Sequence, residues 1–429
     1  MSVPDPQSLP PVTSRLLASV ADELAMVAEE IGDAGLAGRL EHASALLAWV
    51  RGRLDVDEDA SAELAREVTR LSAGADGSGL LRKSIHRLLD SMRPADTRVA
   101  EPSAGSPAAG DKPVSPVDVT TYLRARRPGS TDEAHEVRAI LGGFSKRTLL
   151  VAATLDGVRQ EIVLRQVPAG RRARSLAPEF EVVRAVYAAG LPVPEPMWIE
   201  PEDNALGGAF FVTRRAPGSN VGDVWGARGV SKDVCLEVAS IYARLHQLDV
   251  EGVPMPVSPR STPEELHEMI SWQESTLAKR RIEIEPVLAA LLAWLRAHVP
   301  AAPARRSLIH GDAAFSNLLI EDGTVTAVLD WEAAHIGDPA EELAYLRPSV
   351  EPVLPWEEFI GHYVAAADWA PDPEVMRFFE VWSHVWRHIG CLWLAQNYDA
   401  SRRYASAIAA YVHGPRFLAE GVTAAFGPP

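Results

Sequence analysis

Apolar residues recur at three- and four-residue intervals through "VTSRLLASVADELAMVAEEI", "LAGRLEHASALLAWVRGRL", "SAELAREVTRLSAG" and "SGLLRKSIHRLLDSM". That period matches one face of an α-helix, and Thr13 or Ser14 is available as the first N-cap. Residues 1–91 are therefore predicted to form a small all-α N-terminal domain. The pattern stops at "RPADTRVAEPSAGSPAAGDKPVSP", rich in Pro, Ala, Gly and Ser and almost free of large apolar side chains. Such a stretch has little to bury and predicts a flexible linker over 92–117. Beyond it the period changes. "EVRAILGG", "RTLLVAATL" and "QEIVLRQV" read as strands, the last two joined by a tight Asp156-Gly157 turn. "SLAPEFEVVRAVYAAG" reads as a helix ending at Gly190, and "EPMWIE" and "AFFVTRRA" as two more strands. From "SKDVCLEVASIYARLHQL" onward the chain is mostly helical. The expectation is a strand-rich lobe at 118–218 and a helical lobe at 219–429, an α+β arrangement.

A length of 429 residues suits two or three domains, and 47% hydrophobic with 23% charged residues is ordinary for a globular protein. The net charge of -16 changes the picture more. It excludes a general binder of nucleic acid or of anionic membranes, since either demands a basic surface. Cys235 and Cys391 lack ligand-like neighbours and predict neither a metal cluster nor a disulfide framework. The N-terminal "MSVPDPQSLPPVTS" lacks the basic start and apolar core of a secretion signal. No stretch approaches the ~20 apolar residues of a membrane helix. A cytoplasmic protein is expected.

Two short apolar runs in the helical half lead into or out of acids. "LIHGDAAFSN" places Asp312 after His310-Gly311 and Asn317 five residues later; thirteen residues on, Asp330 emerges from the apolar run of "VLDWEAAHIGDP". Phosphoryl transfer is largely a problem of positioning and electrostatics. It needs a carboxylate that orients the attacking hydroxyl and accepts its proton, and oxygen ligands for magnesium. Asp312 suits the first task, and the Asn317 amide oxygen with the Asp330 carboxylate suits the second. His-x-Asp, a five-residue step to Asn and a later Asp after an apolar run is the layout of the protein-kinase catalytic loop. A lone "HGD" would be ordinary turn chemistry; the three elements together are specific. His310 is expected to brace the loop, because Asp312 fills the position of the base.

On these residues the sequence resembles the aminoglycoside phosphotransferase-like kinases, a small-molecule branch of the protein-kinase fold. The resemblance covers roughly 118–424. It is carried by "LGGFSKRT", "IVLRQVPAG", "PEFEVVRAV", "AFFVTRRAPG", "HGDAAFSNLLI" and "VLDWEAAHIGDPAEELAYL". Within the family the chain is most similar to the kinase-like domains associated with acyl-CoA dehydrogenases, while its first 90 residues resemble a small helical module found beside such kinases in bacteria. The resemblance implies a bilobal kinase-like fold and a phosphotransferase that uses Mg2+ with ATP or GTP. It makes Asp312 the catalytic base, and Asn317 and Asp330 the metal ligands. Gly142, Gly143 and Ser145 would hold phosphate oxygens in the loop between the first two strands. Glu179 matches the acid that pairs with the strand-borne phosphate cation, and the backbone of Thr213, Arg214, Arg215 and Ala216 would meet the nucleotide base.

The sequence departs from the family at two places. Arg165 stands where most kinases carry lysine, a planar fork in place of a point charge. Glu342 stands where "GDPxxD" usually has aspartate; with Asp338 it is expected to cap the following helix. Lys146, in the phosphate loop, reads as a solvated lysine before a second cation. "FFEVWSHVWRHIGCLWLAQNY" places Trp382 and Trp386 near one helical face, with His384 and His388 on a neighbouring stripe. Either this stripe packs in the core or it lines the acceptor pocket. The acceptor, a hydroxylated small molecule, would be a hydroxyacyl-CoA or hydroxy acid, or an antibiotic such as an aminoglycoside or macrolide. The alternative is a non-catalytic nucleotide-binding module that regulates a partner.

Overall fold

The computed structural model describes residues 114–140, 146–168, 176–202, 204–220, 230–282, 284–301, 305–396 and 404–427. The expected helical domain 1–91, and most of the expected linker, lie outside the described residues. The last residues of the expected linker already take part in a helix. Ser115 caps helix α1 (Pro116–Arg126) in a capping box with Asp118, and Pro116 begins the helix where a missing N–H costs nothing. Val119, Tyr122 and Leu123 then form a buried stripe.

That stripe covers one face of a five-stranded antiparallel sheet of order β1-β2-β3-β5-β4. Its strands are β1 (Glu133–Ile140), β2 (Arg147–Leu155), β3 (Val158–Pro168), β4 (Pro196–Glu200) and β5 (Gly208–Arg214). Leu149, Val151, Ile162, Leu164, Phe210 and Val212 meet α1. On the other face, Leu176 and Phe180 of helix α2 (Leu176–Ala188) pack on Val167, Ala209 and Phe211. The β2–β3 connection is Asp156-Gly157, both at positive φ (52° and 77°), the two-residue turn whose twist matches the strands.

The helical half contains α3 (Lys232–Leu245), α4 (Pro263–Lys279), α5 (Pro286–Ala297), α6 (Pro339–Val350), α7 (Trp356–Ala367), α8 (Pro373–Gln396) and α9 (Tyr404–Phe426). Two small sheets interrupt it. One pairs β7 (Ser307–Ile309) with β10 (His335–Gly337); the other has the order β6-β8-β9, from Ser219–Asn220, Leu318–Glu321 and Thr324–Val328. The described residues fall into two compact units. Pro107–Arg281 with Leu295–Ser383 holds the five-stranded sheet and both small sheets; Ile282–Trp294 and His384–Pro429 belong to the other. The expected lobe 219–429 thus contributes to both. Cys235 is buried in the first unit and Cys391 in the second, each a free thiol. Among the described residues, no helix is long and apolar enough to cross a membrane.

Candidate active site

Strand β7 carries the chain into His310, Gly311 and Asp312, and the small sheet β8–β9 returns it to Asp330. Asp312 is held from two sides. Its Oδ1 accepts from the Tyr345 hydroxyl at 2.8 Å, and its Oδ2 from Asn317 Nδ2 at 3.0 Å. The same Asn317 nitrogen donates to the Asp312 carbonyl at 2.8 Å, so the amide orientation is set and its oxygen is turned the other way. Burial, and then the charge of Asp330, raise the Asp312 carboxyl above its ordinary range, against the hydrogen bonds from Tyr345 and Asn317.

His310 is fully buried and both ring nitrogens are occupied. Nε2 lies 2.8 Å from the Leu329 carbonyl and must donate, while Nδ1 accepts the Asp312 N–H at 3.2 Å. This is the neutral Nε2–H tautomer, fixed by its partners. Trp331 packs edge-on at 4.6 Å. The ring braces the loop and has no nitrogen left for a reacting proton. Gly311 completes the bend at φ 81°, and a Cβ there would lie 2.4 Å from the Ala333 carbonyl oxygen. Gly311→Ala should cost more than about 2 kcal/mol, combining left-handed backbone strain with a collision against backbone. Chemical denaturation checks this; an unchanged midpoint would refute the close approach.

Asp330 is a non-glycine residue in the left-handed region, φ 69° and ψ 61°, where a short polar side chain is tolerated. The turn aims its carboxylate at the strand lobe, where Arg165 of β3 donates to Oδ1 at 2.6 Å. Burial opposes the Asp330 charge, but Arg165 and Lys146 outweigh it and hold the carboxyl below its usual value. The two oxygen donors, Asp330 carboxylate and Asn317 amide, suit a hard cation such as Mg2+, which takes one or two protein ligands and completes its shell with water and phosphate. The mutual charge of Asp312 and Asp330 supports the same fit. Among the described residues there is no cluster of three or more His, Cys, Asp or Glu that would make an all-protein cage.

Lys146 corrects an expectation. It is not a solvated loop lysine: it is 7% exposed, and its Nζ contacts Glu179 Oε2 and Glu332 Oε2, each at 2.5 Å. Arg165 reaches Glu179 at only 3.6 Å, so the acid on α2 has Lys146 as its hydrogen-bonding partner. Gly142, Gly143 and Ser145 lie outside the described residues.

The stretch of chain that carries Lys146, Arg165, Asp312, Asn317 and Asp330 is matched by a family model. The model for the phosphotransferase enzyme family, APH, covers residues 136–379, more than half of the chain. The chain belongs to this family. Among curated proteins, mouse acyl-CoA dehydrogenase family member 11 is 27% identical over 237 residues, covering 52% of this chain and 30% of that protein. Mouse family member 10 is 27% identical over 208 residues, 46% of this chain and 19% of that protein. The chain thus spans less than a third of either relative. Among solved structures, a Ralstonia eutropha protein provisionally assigned as an aminoglycoside phosphotransferase matches with a TM-score of 0.58 and 18% identity. The match covers 72% of this chain and 97% of that one. The fold is the kinase-like one.

Other family positions take different roles from those expected. Asp338 caps α6 by accepting the Ala340 N–H at 2.8 Å, but Glu342 caps nothing. Its carboxylate points away from its own helix and receives the backbone N–H of His310 at 2.6 Å and of Gly311 at 3.2 Å. It holds the His310–Asp312 loop in place. Burial pushes the Glu342 carboxyl up to about 7, against those two N–H groups. A folded-state pKa above the ordinary value means that folding favours the proton, so this stabilisation is lost as pH rises through about 7. Thermal stability should therefore fall between about pH 4.5 and 7, with a shallower fall in Glu342→Gln. Melting curves across that range test it; identical slopes would remove Glu342 as the titrating group.

At the segment expected to face the base, Thr213 is buried and pairs with Val163 and Pro196. The N–H of Arg214 donates to the Glu195 carbonyl and that of Arg215 to the Glu161 carbonyl, so these two donors are taken within the strand lobe. Their guanidinium groups pair with Glu195 and Glu161 at 2.6 Å on the surface. Ala216 follows directly. In α8, Trp382 is only 2% exposed, so its ring is core and not pocket wall. Trp386 meets Trp393 edge-to-face at 5.7 Å. His388 is buried against the Gly414 carbonyl at 2.9 Å and Glu285 at 3.0 Å, and His384 lies 3.4 Å from Glu420. Those histidines face carboxylates of their own unit. Sequence reasoning missed Tyr345 and Glu332. The signal for Tyr345 was helical spacing: it follows Asp338 by seven residues, two turns along the same face.

Proposed function

We propose that the chain transfers the γ-phosphoryl group of ATP or GTP to a hydroxyl of a small molecule, in a Mg2+-dependent reaction. The observation that carries the reading is Asp312. It is a carboxylate whose two oxygens are oriented by Tyr345 and Asn317, beside a second acid suited to a metal. Asp312 orients the acceptor hydroxyl and takes its proton as the phosphoryl group leaves the nucleotide. Asn317 and Asp330 hold the metal; Mg2+ bound there would offset charge on the phosphate oxygens. Arg165, steadied near Glu179, faces the phosphates together with the loop of Gly142, Gly143 and Ser145. The backbone at Thr213–Ala216 meets the base, with Arg214 and Arg215 engaged within the lobe and Ala216 the nearest following residue.

For the acceptor we favour a hydroxyacyl-CoA or related hydroxy acid, because the similar curated proteins carry the name of acyl-CoA dehydrogenase family members. An aminoglycoside or macrolide is the next class to test. We place the activity in the cytoplasm, where nucleotide and reduced thiols coexist. The deciding experiment incubates the full chain with Mg-ATP or Mg-GTP and a panel of hydroxylated acceptors, following nucleotide diphosphate release and acceptor mass. Acceptor-dependent release with a phosphate-sized mass gain is expected. Binding of Mg-nucleotide without turnover on any acceptor would favour a non-catalytic module that regulates a partner.

A further inference from the structure

In the β2–β3 ladder Thr148 lies opposite Arg165. Directly opposed residues share a face of the sheet, and so do residues two apart on one strand. Lys146 and Arg165 therefore project to the same side, toward α2 and the Asp330–Glu332 turn. Five charged groups meet there, two cations and three acids, and the contacts are unequal. Glu179 divides its oxygens: Oε2 receives Lys146 at 2.5 Å, and Oε1 stands 3.6 Å from Arg165. Arg165 instead donates to Asp330 at 2.6 Å, while Lys146 also reaches Glu332 at 2.5 Å. Both cations thus run from the strand lobe to alternate acids of one turn in the helical lobe. Exposure separates them. The Lys146 side chain is 3% exposed and that of Arg165 19%, so the lysine is enclosed and the arginine reaches the cleft.

We infer that Lys146 is a positioning residue for phosphoryl transfer: by engaging Glu179 and Glu332 it keeps the Arg165 guanidinium turned toward Asp330 and the nucleotide phosphates. This rests on the nucleotide-kinase reading. The reasoning is one of competition. Burial raises the Glu179 carboxyl above its ordinary range, against Lys146 and Arg165, so its charged form needs a hydrogen-bonded cation beside it. With Lys146 present, that need is met from β2, and Arg165 keeps its five-donor fork for Asp330 and phosphate. Without it, the nearest cation among the described residues is Arg165, which closes the 3.6 Å gap to Glu179 and leaves Asp330. The departure from lysine at position 165 and the lysine at 146 then form one arrangement, in which a lysine serves the acid on the helix and an arginine serves the phosphates.

The test uses the full chain and Mg-ATP, with calorimetric affinity as the primary reading and the split between KM and kcat as the second. Wild type must first bind Mg-ATP; if it does not, the kinase reading itself fails and takes this inference with it. Given binding, Lys146→Met should weaken Mg-ATP affinity roughly tenfold or more and lower kcat as well, as expected when a buried charge loses its partner. Adding Glu179→Gln to Lys146→Met removes the pull on Arg165, so the double variant should bind Mg-ATP more tightly than Lys146→Met alone. A merely structural ion pair would not recover binding in this way. Should Lys146→Met fail to fold, Glu332→Gln decides. It loosens the half-exposed end of the bridge, and at unchanged melting temperature it should weaken Mg-ATP binding about threefold or more. Affinity and kcat within about twofold of wild type in Lys146→Met, no recovery in the double variant, or an unaltered Glu332→Gln where that variant decides, each overturns the inference.

Discussion

Asp312→Asn is expected to lower turnover by about two to four orders of magnitude while fold and nucleotide affinity stay near wild type. The substitution keeps the shape of the side chain and can keep both of its contacts. The new amide oxygen accepts from Asn317, and the new NH2 group donates to the Tyr345 oxygen, since a hydroxyl accepts as readily as it donates. What disappears is the ability to take a proton. The fall should therefore appear in kcat, with KM for nucleotide little changed and the melting temperature within a degree or so. Turnover within about threefold of wild type would mean that Asp312 orients the loop without acting as base.

Asp330→Ala should abolish the Mg2+ dependence of nucleotide binding, because it removes the carboxylate from the pair of oxygen donors assigned to the metal. Two side effects have to be separated from that loss. Alanine is strained at φ 69°, by roughly 1–2 kcal/mol, and Arg165 loses its closest partner. Asp330→Asn separates them, since asparagine tolerates the left-handed backbone and keeps one oxygen while removing the charge. Both variants should lose metal dependence in calorimetry with and without Mg2+, but only Asp330→Ala should be clearly less stable to denaturant. An affinity and metal dependence equal to wild type in both would reduce Asp330 to a turn residue.

The parts of this molecule legible in the sequence are those governed by local chemistry. The Asp156-Gly157 turn gave the β2–β3 hairpin because few other dipeptides accept two positive φ angles in succession. The step from Asp312 to Asn317 was readable because one loop must return the amide to the carboxylate, as it does at 3.0 Å. The misreadings all concern groups whose partners are distant in the chain. Lys146 looked like a solvated loop residue because burial is a tertiary property, and its two carboxylates lie 33 and 186 residues away. Glu342 sits in the first turn of α6, where an acid ordinarily serves its own helix. The antiparallel pairing of β10 with β7 brings the His310–Asp312 loop within its reach. Tyr345 approaches Asp312 for the same reason, across 33 residues. The Trp382 stripe had the period of a core helix and of a pocket wall alike, and periodicity cannot distinguish them.

The two thiols give the protein an internal clock for its own opening. Burial pushes Cys235 up to about 11 and Cys391 up to about 12, so neither supplies thiolate to an alkylating reagent while folded. Each becomes reactive only when its surroundings part, and the two report on different compact units. Labelling kinetics resolved by peptide mass would thus time the unfolding of the body that carries Asp312 separately from that of the body that carries α9. Neither requires an introduced cysteine.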